Sequence, residues 1–537
     1  MIFFDLHCHP TFKYGLLSAD EQNEVTIDNP IHIKFKGFLP KLLRDLIMWL
    51  FGDPLDSQSS VQQLLEGHTN LISHTIYALE NSYAKSSIIG KISEKSNSLD
   101  KAKIAKIEQN LISYWELTQQ QLDEIISIAD LPLAHGRKIK IIKHFNEYNA
   151  LDINTLHIIF NLEGGHCFYA DKKLDNGEFT QRQTIRNLIA VKNSSIRPLY
   201  ITLVHHARND LANHAFAVPT TWAGNGTNQQ PNMGGFNPSG AGMSTAGEEF
   251  IRTALTNTNG HTIYIDIKHM SVGTRQQYYT LRHNEFPTIP IIASHMGVTG
   301  LSWNDFSYKG KPIIRWVKNF EADPQVVEVK YNDIISYRIE SPMREDSIVT
   351  FNPWSINLFD EDIEEIVRSG GIIGVALDIR ILGMGNSAQI SHEHEPERVS
   401  KAELLLSIQN HLQHGQNEDD FLPDPDIRAS LNHVEYLCNN ILHIVKVGRP
   451  IVGENIWDYM CLGSDFDGLI VSVEYQNNFR TKATNLTQLR ASMKTTLPKV
   501  ANLTGIAINT ADDNLENILD KFFFKNAHNF LQKYFRN

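Results

Sequence analysis

FDLHCHP, Phe4 to Pro10, places two histidines one residue apart at the end of an apolar run. Side chains in a strand alternate faces, so His7 and His9 point one way and Cys8 the other. The run from Ile2 to Leu6 carries a single acid, which suits a buried strand, and Pro10 ends the ladder because it has no N–H to donate. The pair therefore lies at the strand's carboxyl end. In α/β barrels that end faces the active site, whereas the opposite end serves stability. An isolated HxH fits two structural histidines as well as it fits a metal site, so the rest of the chain has to decide.

Eight short apolar segments follow the same pattern: 2–7 (IFFDLH), 71–78 (LISHTIYA), 156–163 (LHIIFNLE), 199–205 (LYITLVH), 262–269 (TIYIDIKH), 290–295 (PIIASH), 371–377 (GIIGVAL) and 459–465 (YMCLGSD). Near-continuous apolar runs are expected of parallel strands covered on both faces. Helical periodicity appears between them, at Gln181 to Lys192, Gly247 to Leu255, Ser271 to Leu281, Asp360 to Val367 and Lys401 to Leu412. Alternation of strand and helix eight times predicts a (β/α)8 TIM barrel, α/β in class, spanning 1–537 as a single domain. The irregular spacing makes the long segments loop insertions, at about 10–70, 223–246, 300–358 and 380–398. The Gly/Asn-rich stretch in 223–246 reads as irregular surface chain over a pocket, and HEHE at 392–395 as a lid or solvated turn.

Hydrophobic residues make up 42% of the 537 and charged residues 20%, the composition of a globular protein. A formal charge of -12 leaves no basic surplus for phosphates, which argues against nucleic-acid binding and for a small-molecule partner. The four cysteines, Cys8, Cys167, Cys438 and Cys461, are scattered and form no CxxC pair; they fit a reducing compartment. With no basic, cleavable apolar leader, the expected location is the cytoplasm. The most apolar stretch, Phe38 to Gly52, is too short and too charged for stable membrane insertion and reads as a helix packed over the core.

The metal-capable side chains settle the opening question. Glu163, His205, His269, His295 and Asp465 each fall at the end of an expected strand, and such ends converge on one barrel rim. Imidazole plus carboxylate without thiolate is the donor set of catalytic zinc, and also of iron, manganese or cobalt. Five or six ligands exceed the needs of one tetrahedral ion but suit two divalent ions roughly 3.5–4 Å apart. Zinc is first among them. Glu163 is the natural bridge, because each carboxylate oxygen can bind one ion.

Six motifs resemble the membrane (renal) dipeptidases, metal-dependent hydrolases of the amidohydrolase superfamily: DLHCHP at 5–10, NLEGGHCF at 161–168, YITLVHHARND at 200–210, IDIKHMSVGTRQQYY at 265–279, PIIASHMG at 290–297 and LGSDFDGL at 462–469. GMSTAGEEFIRTALTNTNG at 242–260 is similar to the family's helix before the fifth strand. The resemblance implies that His7 and His9 bind the first metal, that Glu163 bridges, and that His269 and His295 bind the second. It further implies that His205 polarises the scissile carbonyl and that Asp465 moves the proton. The expected reaction is hydrolysis of a dipeptide-like amide by a metal-bridging hydroxide; a homodimer is carried over from the family.

Two departures stand out. The family has HxD on its first strand where this chain has His9, which removes a negative charge. The family also holds the dipeptide carboxylate with an arginine after the sixth strand, and the matching stretch, NPWSINLFDEDIEEI at 352–366, has none. Arg208 or Arg380 would substitute, each with a surface role as the alternative. Asp467 is either a partner that orients a metal ligand or a turn-forming residue before Gly468. The competing activity is a related metallohydrolase acting on a phosphoester or lactone.

Overall fold

All eight expected strands form. In the computed structural model, which describes residues 2–35, 55–86, 92–170, 181–217, 235–383, 396–407, 428–476 and 479–536 apart from 259, 306, 309, 333, 342 and 343, they lie parallel in one sheet. They are β1 (Phe3–Cys8), β2 (Thr69–Ile76), β3 (Thr155–Glu163), β4 (Tyr200–Thr202), β5 (Tyr264–Asp266), β6 (Ile292–Met296), β7 (Ile372–Val375) and β8 (Met460–Leu462), each paired with the next. Just past β8 the chain reaches back to β1 and closes the ring: Asp465 N donates to His7 O at 2.9 Å and His9 N to Phe466 O at 2.9 Å. This is the (β/α)8 barrel. Between β7 and β8 the backbones pass close to Ser294, and a Cβ at Gly374 or Gly463 would lie 1.9 Å from its carbonyl oxygen.

The helices expected from periodicity are present at Gln181–Lys192, Thr245–Leu255, Val272–Glu285, Asp360–Ser369 and, as far as described, Lys401–Ser407. Ser244 and Ser271 cap two of them by accepting from the backbone N–H three residues on. One apolar cluster contains a residue from every barrel strand: Phe4, Leu71, Ile159, Tyr200, Tyr264, Ile292, Ile372 and Cys461. Residues from all eight strands can meet only in the lumen. There they pack on Phe530 and Leu531 of the helix Asn526–Tyr534, mostly near the strands' amino ends. The chain's last helix thus plugs one mouth of the barrel, and the carboxyl mouth is left for chemistry.

The insertions depart from the sequence expectation in three ways. A long excursion between β2 and β3, with helices at Lys101–Glu108 and Tyr114–Ile128, was not foreseen. The segment 300–358 is β-rich: Ile314–Asn319, Val326–Tyr331 and Glu397–Ser400 make one antiparallel sheet, and Ile334–Ser341 pairs with Arg344–Phe351. Glu397 and Arg398, at the end of the expected insertion 380–398, belong to a buried strand whose backbone completes that sheet. HEHE at 392–395 and the apolar stretch 38–52 lie outside the described residues. Among the described residues no helix is long and apolar enough to cross a membrane.

Candidate metal centre

β3 is buried along its whole length and delivers Glu163 as its last residue. The chain then turns at Gly164, whose φ of 96° favours glycine and where a Cβ would come 2.2 Å from His166 Nδ1. Five imidazoles converge on the Glu163 carboxylate through Nε2: His7 at 3.4 Å, His9 at 3.4 Å, His269 at 3.3 Å, His295 at 3.5 Å and His205 at 3.8 Å. Asp465 Oδ1 lies 3.4 Å from His9 Nε2 and 3.8 Å from His7 Nε2. The rim that the strand ends implied is a real cluster, and all seven residues meet in it.

The partners of the far ring nitrogens test whether a cation belongs there. The Tyr200 hydroxyl gives its proton to Leu6 O at 2.9 Å, so at 2.9 Å from His7 Nδ1 its oxygen accepts. Ser294 Oγ donates to Asp266 at 2.5 Å and likewise accepts from His295 Nδ1 at 2.7 Å. Burial lowers the His7 pKa, but Glu163 outweighs it and raises it overall. With Nδ1 as the donor, His7 and His295 in their neutral form would offer Nε2 lone pairs to a cation lying between them and Glu163. The spacing agrees: two ligands each about 2.1 Å from a tetrahedral ion sit about 3.4 Å apart. The residues present fit a divalent metal, and three groups could hold one: His7, His9 and Asp465; His7, Glu163 and His295, which shares His7 with the first; and His205, His206 and His269.

The electrostatics follow from burial and crowding. Burial disfavours the charged form of Glu163, but His205, His7 and His269 more than offset it and hold the carboxyl well below its ordinary range. Burial drives the His295 and His269 rings toward the neutral form, aided by cationic neighbours. His269 (φ 66°) and Asp465 (φ 61°) both adopt the left-handed backbone region. That conformation costs on the order of 1–3 kcal/mol for a residue with a side chain, and such strain gathers at functional sites.

Sequence reasoning missed Glu80. It lies four residues beyond the end of β2, and its carboxylate receives His205 Nδ1–H at 2.8 Å, Ala207 N–H at 3.0 Å and the Tyr77 hydroxyl at 3.1 Å. Despite complete burial, which raises it, the Glu80 pKa is held down to about 2 by His205. In turn, Glu80 and Glu163 overcome the effect of burial and raise the His205 pKa. A signal existed: β2 was one of two strands without an assigned residue, and Glu80 is the first acid after it. Glu80→Gln is expected to free the His205 ring and lower kcat about 10–100-fold with metal content kept, as measured by steady-state kinetics and metal analysis.

A cavity opens over the cluster, walled by Phe12, Tyr77, Leu79, Tyr83, Trp354 and Ile356. Two further polar residues there were also missed. His206 stacks on His205 with ring centroids 4.0 Å apart, and Lys268 is buried, its pKa pushed down to about 8 by desolvation. Arg380 lines the same cavity, with Nε 2.9 Å from both oxygens of Asp378. Arg208 is elsewhere: its guanidinium pairs with Asp323 and donates to Asn237 O at 2.9 Å. Asp467 does not touch the imidazole cluster through any observed hydrogen bond or ion pair. It accepts from Lys13 Nζ at 2.5 Å, Gln58 N at 3.0 Å, and Ser59 N and Oγ at 2.8 Å each, which ties the first insertion to the barrel rim.

No family model and no curated protein matches the sequence. Solved structures similar to the chain include the dipeptidase AC, a metallopeptidase, at 12% identity over 100% of this chain and 99% of that one, TM-score 0.45. A metallopeptidase from Rhodobacter sphaeroides, liganded with a phosphinate mimic of the dipeptide L-Ala-D-Ala, is 14% identical over 94% of this chain and 100% of that one, TM-score 0.43. The probable dipeptidase PvdM from Pseudomonas aeruginosa is 14% identical over 100% of this chain and 95% of that one, TM-score 0.46.

Proposed function

We propose that the chain is a metal-dependent hydrolase of the dipeptidase kind, cleaving the amide bond of a dipeptide or similar small substrate with two divalent ions, zinc first among them. The observation that carries the reading is the ring of five imidazole Nε2 atoms around the Glu163 carboxylate at the carboxyl mouth of the barrel. The six family-like motifs supply exactly those side chains in that order. His7 and His9 would hold one ion and His269 and His295 the other, with Glu163 shared. Such ions supply Lewis acidity and a water acidified enough to attack a carbonyl near neutral pH.

The protein's own groups do the rest. Glu80 accepts the Nδ1 proton of His205 and favours its imidazolium, so Nε2–H faces the cavity as a donor to the carbonyl oxygen and to the negative charge that develops there. Asp465, 17% exposed by side chain and bordering the cavity, is placed to take the proton of the attacking water and return it to the departing amine. The aromatic and aliphatic wall favours substrates with apolar side chains and keeps bulk water off the reacting bond. The buried free thiols suit the cytoplasm as the place of action.

The test is amine release from a panel of L,L and L,D dipeptides by zinc-reconstituted protein. Turnover of at least one class supports the reading. Turnover of phosphoesters or lactones without any dipeptide would replace it with the competing hydrolase.

A further inference from the structure

Lys268 follows β5 by two residues and immediately precedes His269. Its residue is 1% exposed, its Nζ has no hydrogen-bond partner among the described residues, and it borders the cavity above the metal-capable cluster. Burial costs this ammonium its hydration, and the carboxylates of Asp465, Asp266, Glu163 and Asp378 act on it only through space, with no hydrogen bond to Nζ among the described residues. Another cavity cation differs: Arg380 has Asp378 as a bidentate counter-ion on its own side of the wall. The stretch after the sixth strand contributes only the neutral or apolar Asn352, Trp354 and Ile356 to the lining. His205 is likewise bonded to Glu80, so among the described residues Lys268 is the cavity cation to which no carboxylate is hydrogen-bonded.

Resting on the dipeptidase reading, we infer that Lys268 Nζ receives the carboxylate of the substrate, so that the preferred substrates are N-acyl amino acids, dipeptides included, with a free carboxylate next to the scissile amide. Lys268 borders the same cavity as Glu163, His269 and His295, which suits a carboxylate close to the scissile amide. Lysine presents a compact charge with rotatable donors, so this anchor is less geometrically exacting than a planar guanidinium.

Two measurements test the inference. Calorimetric binding of benzoylglycine and of benzoylglycinamide to metal-loaded protein reads the anchor without requiring turnover. The wild type is expected to prefer the carboxylate about 10–100-fold, the worth of a charge-assisted hydrogen bond, and Lys268→Met to lose that preference while Lys268→Arg keeps part of it. For a cleaved dipeptide and its carboxamide, the same loss should appear in KM rather than kcat. Metal content should be equal in all three proteins. Equal affinity for acid and amide in the wild type, an unchanged preference in Lys268→Met, or loss of metal in that variant would each overturn the assignment. A carboxylate preference that depends on Lys268 in a protein that cleaves no dipeptide would keep the anchor and sink the dipeptidase reading instead.

Discussion

Glu163→Ala is expected to leave purified protein with little bound divalent metal and to lower kcat/KM by about a thousand-fold or more. The reason is geometric. Both Glu163 oxygens face the cluster, Oε1 toward His7, His269 and His295 and Oε2 toward His9 and His205. Among the described residues no other carboxylate spans both halves, so its removal would withdraw a ligand from each of the two proposed ions at once. Metal analysis after gel filtration measures the first effect and steady-state kinetics the second. Full metal occupancy in Glu163→Ala would show that the bridge lies elsewhere.

Asp465→Asn is expected to behave differently, keeping most of the metal and losing about 10²–10⁴-fold in kcat. An amide retains an oxygen toward His9, so the steric role survives, but it cannot accept a proton at any working pH. The contrast between the two variants carries the argument. Equal loss of metal in both would mean that Asp465 acts chiefly as a ligand beside His7 and His9, and the proton would need another carrier.

The fold was legible because parallel strands covered on both faces must be apolar throughout, and eight such runs separated by helical periodicity have few other arrangements. The convergence of the seven side chains was legible for a related reason: six of the eight runs ended in His, Glu or Asp. Where the ladders stop was harder to read. β4, β5 and β8 are three residues long, and His205, His269 and Asp465 lie beyond them, because the backbone leaves the sheet to aim those side chains inward. An apolar run does not reveal where its hydrogen bonds end, and a left-handed residue such as His269 carries no composition signal. Glu80 escaped because it sits past its strand in a turn. The plugging helix Asn526–Tyr534 escaped because its apolar face looks like that of any surface helix until the lumen it fills is known. Arg208 and Arg380 looked equivalent in sequence, and only the placement of Asp323 and Asp378 separates them.

The seam between β1 and β8 has a consequence for the protein's manufacture. Ser464 N donates to Asp5 across 459 positions of sequence. At a synthesis rate of about 5–20 residues per second, roughly 20–90 s separate the emergence of the two edges. Throughout that interval Phe3–Cys8 has β2 on one side and an open backbone edge on the other, an invitation to pair with other chains. The nascent protein therefore needs shielding over its first strand, and metal delivery has to wait until nearly all of the chain has left the ribosome.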